Sequence, residues 1–307
     1  MLEGILILIG AAALLCIVVA AWDCNRFVTV EYEIGSEKIA KPCRFVLLSD
    51  LHNKSYGKNN KKLIERIDSV SPDAVLVAGD MLTAGKGQPF DTALGLMEQL
   101  AERYPVYYGM GNHEYRLQLY PEQYGDVYDS YVTGLKRAGI EPLINQNTYL
   151  PEFHVAVCGV QIDREYYQRI RNNPMKADYL PRLLGEARED ACQILIAHNP
   201  QYFKEYAAWG ADVVVSGHVH GGIMRLPVLG GVLSPNMRLF PKYDGGRFTL
   251  GRSVMILSRG LGTHTIPLRI FNPGELVVIK LEKNSDGKPG LKEGTGYRKD
   301  KLLWRSQ

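Results

Sequence analysis

Apolar positions along this chain follow two different periods. Phe27 to Ile34 alternates apolar and polar side chains, the pattern of an edge strand, and Gly35-Ser36 follows as a turn. Continuous apolar runs then recur: Phe45-Val46-Leu47-Leu48-Ser49, Ala74-Val75-Leu76-Val77-Ala78, Val106-Tyr107-Tyr108, Gln193-Ile194-Leu195-Ile196-Ala197 and Val213-Val214-Val215. Runs this short and this rich in Val and Ile predict strands covered on both faces. Between the early runs the spacing lengthens to a helical one. Leu63, Ile64, Ile67 and Val70 predict a helix over 58–70, ended by Ser71-Pro72. Ala93, Leu94, Leu96, Met97 and Leu100 predict a second over 89–103, and a third is expected over 121–138. Strands alternating with helices point to parallel βαβ connectivity. Two strands are expected around Leu150-Pro151 within 143–162. From 222 to 283 short strand-like runs are broken by Gly230-Gly231, Gly245-Gly246, Gly260 and Gly262, which suggests a second sheet packed on the first.

The N-terminus breaks both patterns. Gly4 to Trp22 is an uninterrupted apolar run of 19 residues, enough for a helix to cross a hydrocarbon core of about 30 Å. Trp22 would sit at the interface. A cleaved leader is the alternative, with Val19-Ala20-Ala21 as a loose cleavage site. The preceding residues hold Glu3 and no Lys or Arg, however, and the run is long for a leader. A retained single-pass anchor is therefore expected. Arg26, Lys38, Lys41 and Arg44 follow the run and no Lys or Arg precedes it, which leans toward a cytoplasmic domain. The chain divides into an anchor and flank (1–26), one large domain (27–283) and a basic, loosely ordered tail (284–307).

Composition removes some classes of function. The net charge of +3 and the lack of a basic helix argue against nucleic-acid binding. Cys16, Cys24, Cys43, Cys158 and Cys192 form no CxxC pair, so buried free thiols are expected in place of disulfides or a zinc–thiolate site.

The chemistry lies where the apolar runs stop. They end in Asp50 and His52, in Asp80, in Asn112 and His113, in His198, and in His218 and His220. Five of the seven histidines lie in these endings. Open α/β sheets gather ligands at the carboxyl ends of their strands, so one pattern predicts both a sheet and a metal site on its rim. Carboxylate, carboxamide and imidazole without thiolate suit Mn, Fe or Zn. More donors are present than one tetrahedral ion can use, and two divalent ions about 3.5–4 Å apart account for them better. Asp80 is the natural bridge, because Gly79 lets backbone approach closely. A lone histidine at a strand end is more often structural; His154 and His264 are read that way. Arg225 and Arg259 could grip a phosphate or satisfy carbonyls and carboxylates. Tyr107, Tyr108 and Tyr115 read as packing, while Tyr166-Tyr167 and Tyr128 to Tyr131 could wall a substrate.

The series Asp50-Leu51-His52, Gly79-Asp80, Gly111-Asn112-His113-Glu114, His198 and Gly217-His218-Val219-His220 resembles the calcineurin-like metallophosphoesterase superfamily in order and spacing. Gly221-Gly222, Arg225-Leu226-Pro227, Lys242-Tyr243 and Ser258-Arg259-Gly260-Leu261-Gly262 are similar to the YkuE/YaeI-type membrane-associated bacterial phosphodiesterases, over about residues 43–281. The resemblance implies an α/β fold, a four-layer αββα sandwich of two mixed sheets. It assigns one ion to Asp50, His52, Asp80 and His220, and the other to Asp80, Asn112, His198 and His218. His113 would be the non-ligand acid that protonates the leaving oxygen or stabilises its charge. The implied activity is hydrolysis of a phosphate ester, a diester for preference, by in-line attack of a hydroxide shared by the ions. The anchor suggests a substrate near the membrane, so a phosphorylated small molecule, lipid or cell-envelope compound is expected. A UDP-2,3-diacylglucosamine-type pyrophosphatase and a catalytically silent scaffold are the alternatives. Two positions depart from the pattern. Thr83 stands where relatives often carry an Asp that orients and charges the His113 equivalent, and Ile223 stands where many carry Gln.

Overall fold

The computed structural model describes residues 1–168, 173–226, 230–232, 239–263 and 267–284, and the backbone of 298–299. His264 and nearly all of the basic tail lie outside the described residues.

A single helix, α1 (Leu2–Asp23), leads into β1 (Phe27–Ser36). The first sheet continues with β2 (Cys43–Leu48), β3 (Ala74–Ala78) and β4 (Val106–Gly109). Its helices are α2 (Lys61–Val70), α3 (Asp91–Ala101), α4 (Asn112–Leu119), α5 (Pro121–Tyr124) and α6 (Val127–Arg137). The second half supplies β5 (Gln146–Leu150), β6 (Val155–Val160), α7 (Tyr179–Leu184), β7 (Cys192–Ala197), α8 (Phe203–Trp209) and β8 (Val213–Ser216). A small hairpin follows, β9 (Arg225–Leu226) with β10 (Gly230–Gly231), and then β11 (Gly246–Leu250), β12 (Ser253–Leu257), β13 (Gly274–Lys283) and β14 (Arg298–Lys299).

Two mixed sheets result, ordered β1-β13-β2-β3-β4 and β14-β11-β12-β8-β7-β6-β5. Within them β2, β3 and β4 are mutually parallel, as are β6, β7, β8 and β12. Side-chain alternation makes the layers. On β2, Phe45 and Leu47 face the second sheet, packing with Ile194, Ile196, Val213 and Val215. Val46 and Leu48 face the opposite way, onto Leu63, Ile67, Leu96 and Leu100 of α2 and α3. The outer face of the second sheet is covered by Leu180, Leu184, Phe203 and Tyr206 of α7 and α8. Helix, sheet, sheet, helix is the expected four-layer order, and strands buried on both faces account for the continuous apolar runs.

Four local expectations need correction. The helix expected over 121–138 is two, broken where Gly125 takes φ 69°. Gly35 and Ser36 belong to β1. The run at 274–283 joins the first sheet, between β1 and β2, with Phe27 opposite Gly274. Helix α4 was not anticipated. The cysteines are free as expected, but Cys16 and Cys24 are only half-buried. Helix α1 is exposed along most of its length and is long and apolar enough to span a bilayer.

Candidate metal centre

The carboxyl ends of both parallel strand sets meet at one rim. Asp50 N–H donates to Gly79 O (2.9 Å), Gly217 N–H to His198 O (3.1 Å) and Leu261 N–H to Ser49 O (3.1 Å). His198 Nδ1 lies 2.6 Å from Ala78 O on the facing sheet. The loops turn so sharply that Asp50, His52, Asp80, His218 and His220 all have φ between 48° and 75°. Such conformations are uncommon without glycine and concentrate at functional sites. At Gly111 an added Cβ would overlap Asp80 Oδ1, so side chain and backbone meet where only glycine fits.

The named residues converge. Asp50, His52 and His220 form one group; Asp80, His198 and His218 another; and His52, Asp80 and His113 a third that joins them. Donor atoms within each group lie within 4.8 Å of one another. Asp80 Oδ2 is 3.1 Å from His198 Nε2 and 3.9 Å from His52 Nε2. His220 Nε2 stands 3.4 Å from Asp50 Oδ1. Asn112 Oδ1 is 3.1 Å from His198 Nε2. His52 Nε2 and His220 Nε2 approach to 3.2 Å.

These residues fit divalent cations. The oxygen and imidazole donors match hard or borderline ions. Asp50 is fully buried, and among the described residues no hydrogen bond of ordinary geometry reaches its Oδ2. The His198 Nδ1 contact to a backbone carbonyl fixes the ring and leaves Nε2 for a ligand, the usual outer-shell arrangement of a metal-binding histidine.

Charge is finely opposed in this cluster. Burial alone would raise the Asp80 carboxyl, but the His198 and His113 rings hold it well below the usual carboxylate range. Burial would lower His198, yet Asp80 lifts it to about 9. Burial pushes Asp50 up, against an opposing pull from His198. A linkage result is expected in chelator-stripped protein. The raised His198 contributes stability that is complete below its ordinary 6.5 and lost as pH climbs through about 9. The depressed Asp80 contributes stability that is complete above 3.8 and lost on acidification. Melting temperature against pH should therefore fall on the alkaline side between 6.5 and about 9, and the fall should vanish in Asp80→Asn.

His113 differs from the ligand candidates. Its Nδ1 accepts the backbone N–H of Ala84 (2.8 Å), which places its ring proton on Nε2. Burial lowers its pKa, so the ring is neutral. Thr83 Oγ1 lies instead 3.2 Å from His52 Nδ1.

The centre opens into a cleft of about 930 Å³, whose walls include His113, Arg116, Leu119, Arg164, Tyr167 and Pro267. Arg116 and Arg164 gave no signal in the sequence, because their role depends on where α4 and the 164–167 turn meet. Arg164 lies over the Tyr120 ring at 5.0 Å. Arg225 and Arg259 satisfy protein groups: Arg225 pairs with Asp244 (3.3 Å) and buried Arg259 with Glu275 (3.2 Å). Tyr166 and Tyr131 belong to the core, whereas Tyr115 and Tyr167 line the cleft. Buried Glu114 was also missed as a support. Its carboxylate accepts the N–H groups of Asp80, Met81 and Gly111, and the Tyr108 hydroxyl, at 2.9–3.0 Å.

Comparison with known proteins gives the family. The calcineurin-like phosphoesterase family model matches residues 43–222. An uncharacterised metallophosphoesterase of Campylobacter jejuni is 28% identical over 83% of this chain, and the match spans 62% of that protein's length. YpbG of Bacillus subtilis is 24% identical, with 89% of this chain and 94% of that protein covered. The phosphodiesterase YaeI of Escherichia coli is 25% identical, with 79% and 83% covered. The chain belongs to the calcineurin-like phosphoesterase family of metal-dependent phosphoric ester hydrolases.

Proposed function

We propose that this chain hydrolyses a phosphodiester using two divalent cations, one held by Asp50, His52, Asp80 and His220, the other by Asp80, Asn112, His198 and His218. The observation that carries this reading is the place of Asp80, whose carboxylate is shared between donor groups reaching toward His52 on one side and His198 on the other. Bound there, two cations would neutralise phosphoryl oxygens and acidify water at neutral pH.

The protein side chains supply the rest. His113, neutral and protonated on Nε2, is built to donate a hydrogen bond to the departing oxygen without carrying a positive charge. Thr83 supports His52, so no carboxylate at that position charges His113. Arg116 and Arg164 on the cleft wall offer bidentate donors to a phosphate. Leu119, Tyr167 and Pro267 provide an apolar surface for a second ester substituent, which favours a diester. Helix α1 holds the domain at a membrane, and the basic residues after it favour the cytoplasmic side; a C-terminal reporter fusion tests that.

Purified full chain should hydrolyse an aryl phosphodiester when supplied with Mn. Replacing His113 by Ala should cost about 10²–10³-fold in kcat without changing metal content, with the larger loss for alkyl leaving groups that need the hydrogen bond most. Equal rates for the native chain and Asp80→Asn would instead favour a silent scaffold.

A further inference from the structure

Beyond residue 23, the described residues expose six large apolar side chains: Leu119, Leu226, Leu239, Phe240, Leu268 and Phe271. Leu119 lines the cleft and Leu268 follows Pro267, which also lines it. The others belong to one hydrogen-bonded patch of backbone. Ile270 N–H donates to Ile223 O and Arg225 N–H to Ile270 O. Val232 N–H donates to Met224 O and Phe240 N–H to Val232 O. Phe240 is 58% and Phe271 45% exposed, and both hold a left-handed backbone, φ 47° and 52°. A bulky aromatic is costly there, where Gly or Asn would be comfortable, and water gives it nothing to pack against.

The same patch receives the end of α1. Asp23, buried in the last turn, accepts the backbone N–H of Asn272 (2.9 Å), and Cys24 Sγ lies 3.7 Å from Pro267 O. Asn272 in turn donates its side-chain amide to His220 O (2.8 Å) and Gly222 O (2.6 Å). The helix is 22 residues long, about 33 Å at 1.5 Å per residue, which matches the hydrocarbon thickness. With α1 across a bilayer, Trp22 marks the interface and Asp23 the headgroup layer. Pro267, one contact from Cys24, then lies at the same depth.

We propose that the cleft mouth rests on the bilayer that holds α1, with Phe240 and Phe271 inserted at its surface, and that the substrate is an amphiphile presenting its phosphate ester at headgroup depth. This rests on the phosphoesterase reading above and narrows its substrate class. The Asp23–Asn272 contact sets the domain's orientation, so α1 aims the cleft as well as tethering it.

The test uses the full chain in phosphatidylcholine–phosphatidylglycerol vesicles with Mn. Two probes share one reacting centre: hexadecyl p-nitrophenyl phosphate in the vesicles and ethyl p-nitrophenyl phosphate in solution. The native chain should favour the vesicle-borne ester. The double variant Phe240→Asn, Phe271→Asn relieves the left-handed strain, so it should fold with an unchanged or higher melting temperature. It should lose about tenfold or more on the vesicle-borne ester and keep its rate on the soluble one. Parallel loss on both esters, or loss on neither, overturns the proposal. Insertion is read separately with Phe240→Trp in a Trp22→Phe background: brominated lipids should quench the added fluorescence, and its indifference to them overturns the proposal too. Quenching with no hydrolysis of either ester would support insertion and sink the phosphoesterase reading alone.

Discussion

Asp80→Asn is expected to abolish useful turnover, with a loss of about 10³-fold or more, equivalent to about 4 kcal/mol on the barrier. The substitution removes one negative charge from the place where two donor groups meet. One set then keeps Asp50 as its single carboxylate and the other keeps none. The fold should survive, because Asp80 Oδ1 accepts the His113 N–H (2.8 Å) and an Asn carbonyl oxygen can do the same. Elemental analysis should show metal content falling with activity, while the stripped variant stays folded but melts lower than the stripped native chain at neutral pH, because it lacks the Asp80–His198 pair. Normal metal content in an inactive variant would mean that Asp80 acts on the substrate and is not a shared ligand.

Glu114→Ala is expected to have the largest effect on stability. Glu114 is buried beneath the site and ties three N–H groups from two strand ends to one carboxylate. Burial, then repulsion from Asp80, raises its pKa; the backbone donors oppose that rise. Alanine would leave the three backbone donors buried without their partner, at about 1–3 kcal/mol for each unsatisfied group, while the Tyr108 hydroxyl would keep its contact with Tyr131 (3.0 Å). Partial relaxation limits the total to about 3–5 kcal/mol, a drop in melting temperature on the order of 10 °C. Differential scanning calorimetry measures it. A change under about 2 °C would show that the loops of Asp80 and Asn112 hold their shape without the clamp.

The rim and a second sheet packed on the first were legible from short-range pattern, and the four-layer order from the family resemblance. Five apolar runs ending in Asp, Asn or His disclosed both the strands and the donors, because the side chains that leave a parallel strand at its carboxyl end enter the site directly. Helix α4 was hidden because 112–119 has no apolar stripe; of its aliphatic residues only Leu117 is buried, and its start is held by Glu114 reaching back to Gly111. The place of β13 was hidden for another reason. Its partner in β1 lies 247 residues away, Phe27 against Gly274, and no local period encodes such a pairing. The contact from Asp23 to Asn272, the cleft arginines and the clamp of Glu114 are likewise products of assembly. Thr83 shows the limit of motif reasoning: its position suggested a partner for His113, whereas the loop turns its hydroxyl to His52.

Anomalous diffraction from crystals of the chain grown with Mn is the most direct test of the two-ion centre. Two peaks are expected about 3.5–4 Å apart, with Asp80 ligating both and His113 ligating neither. One peak, or two peaks that do not share Asp80, would contradict it.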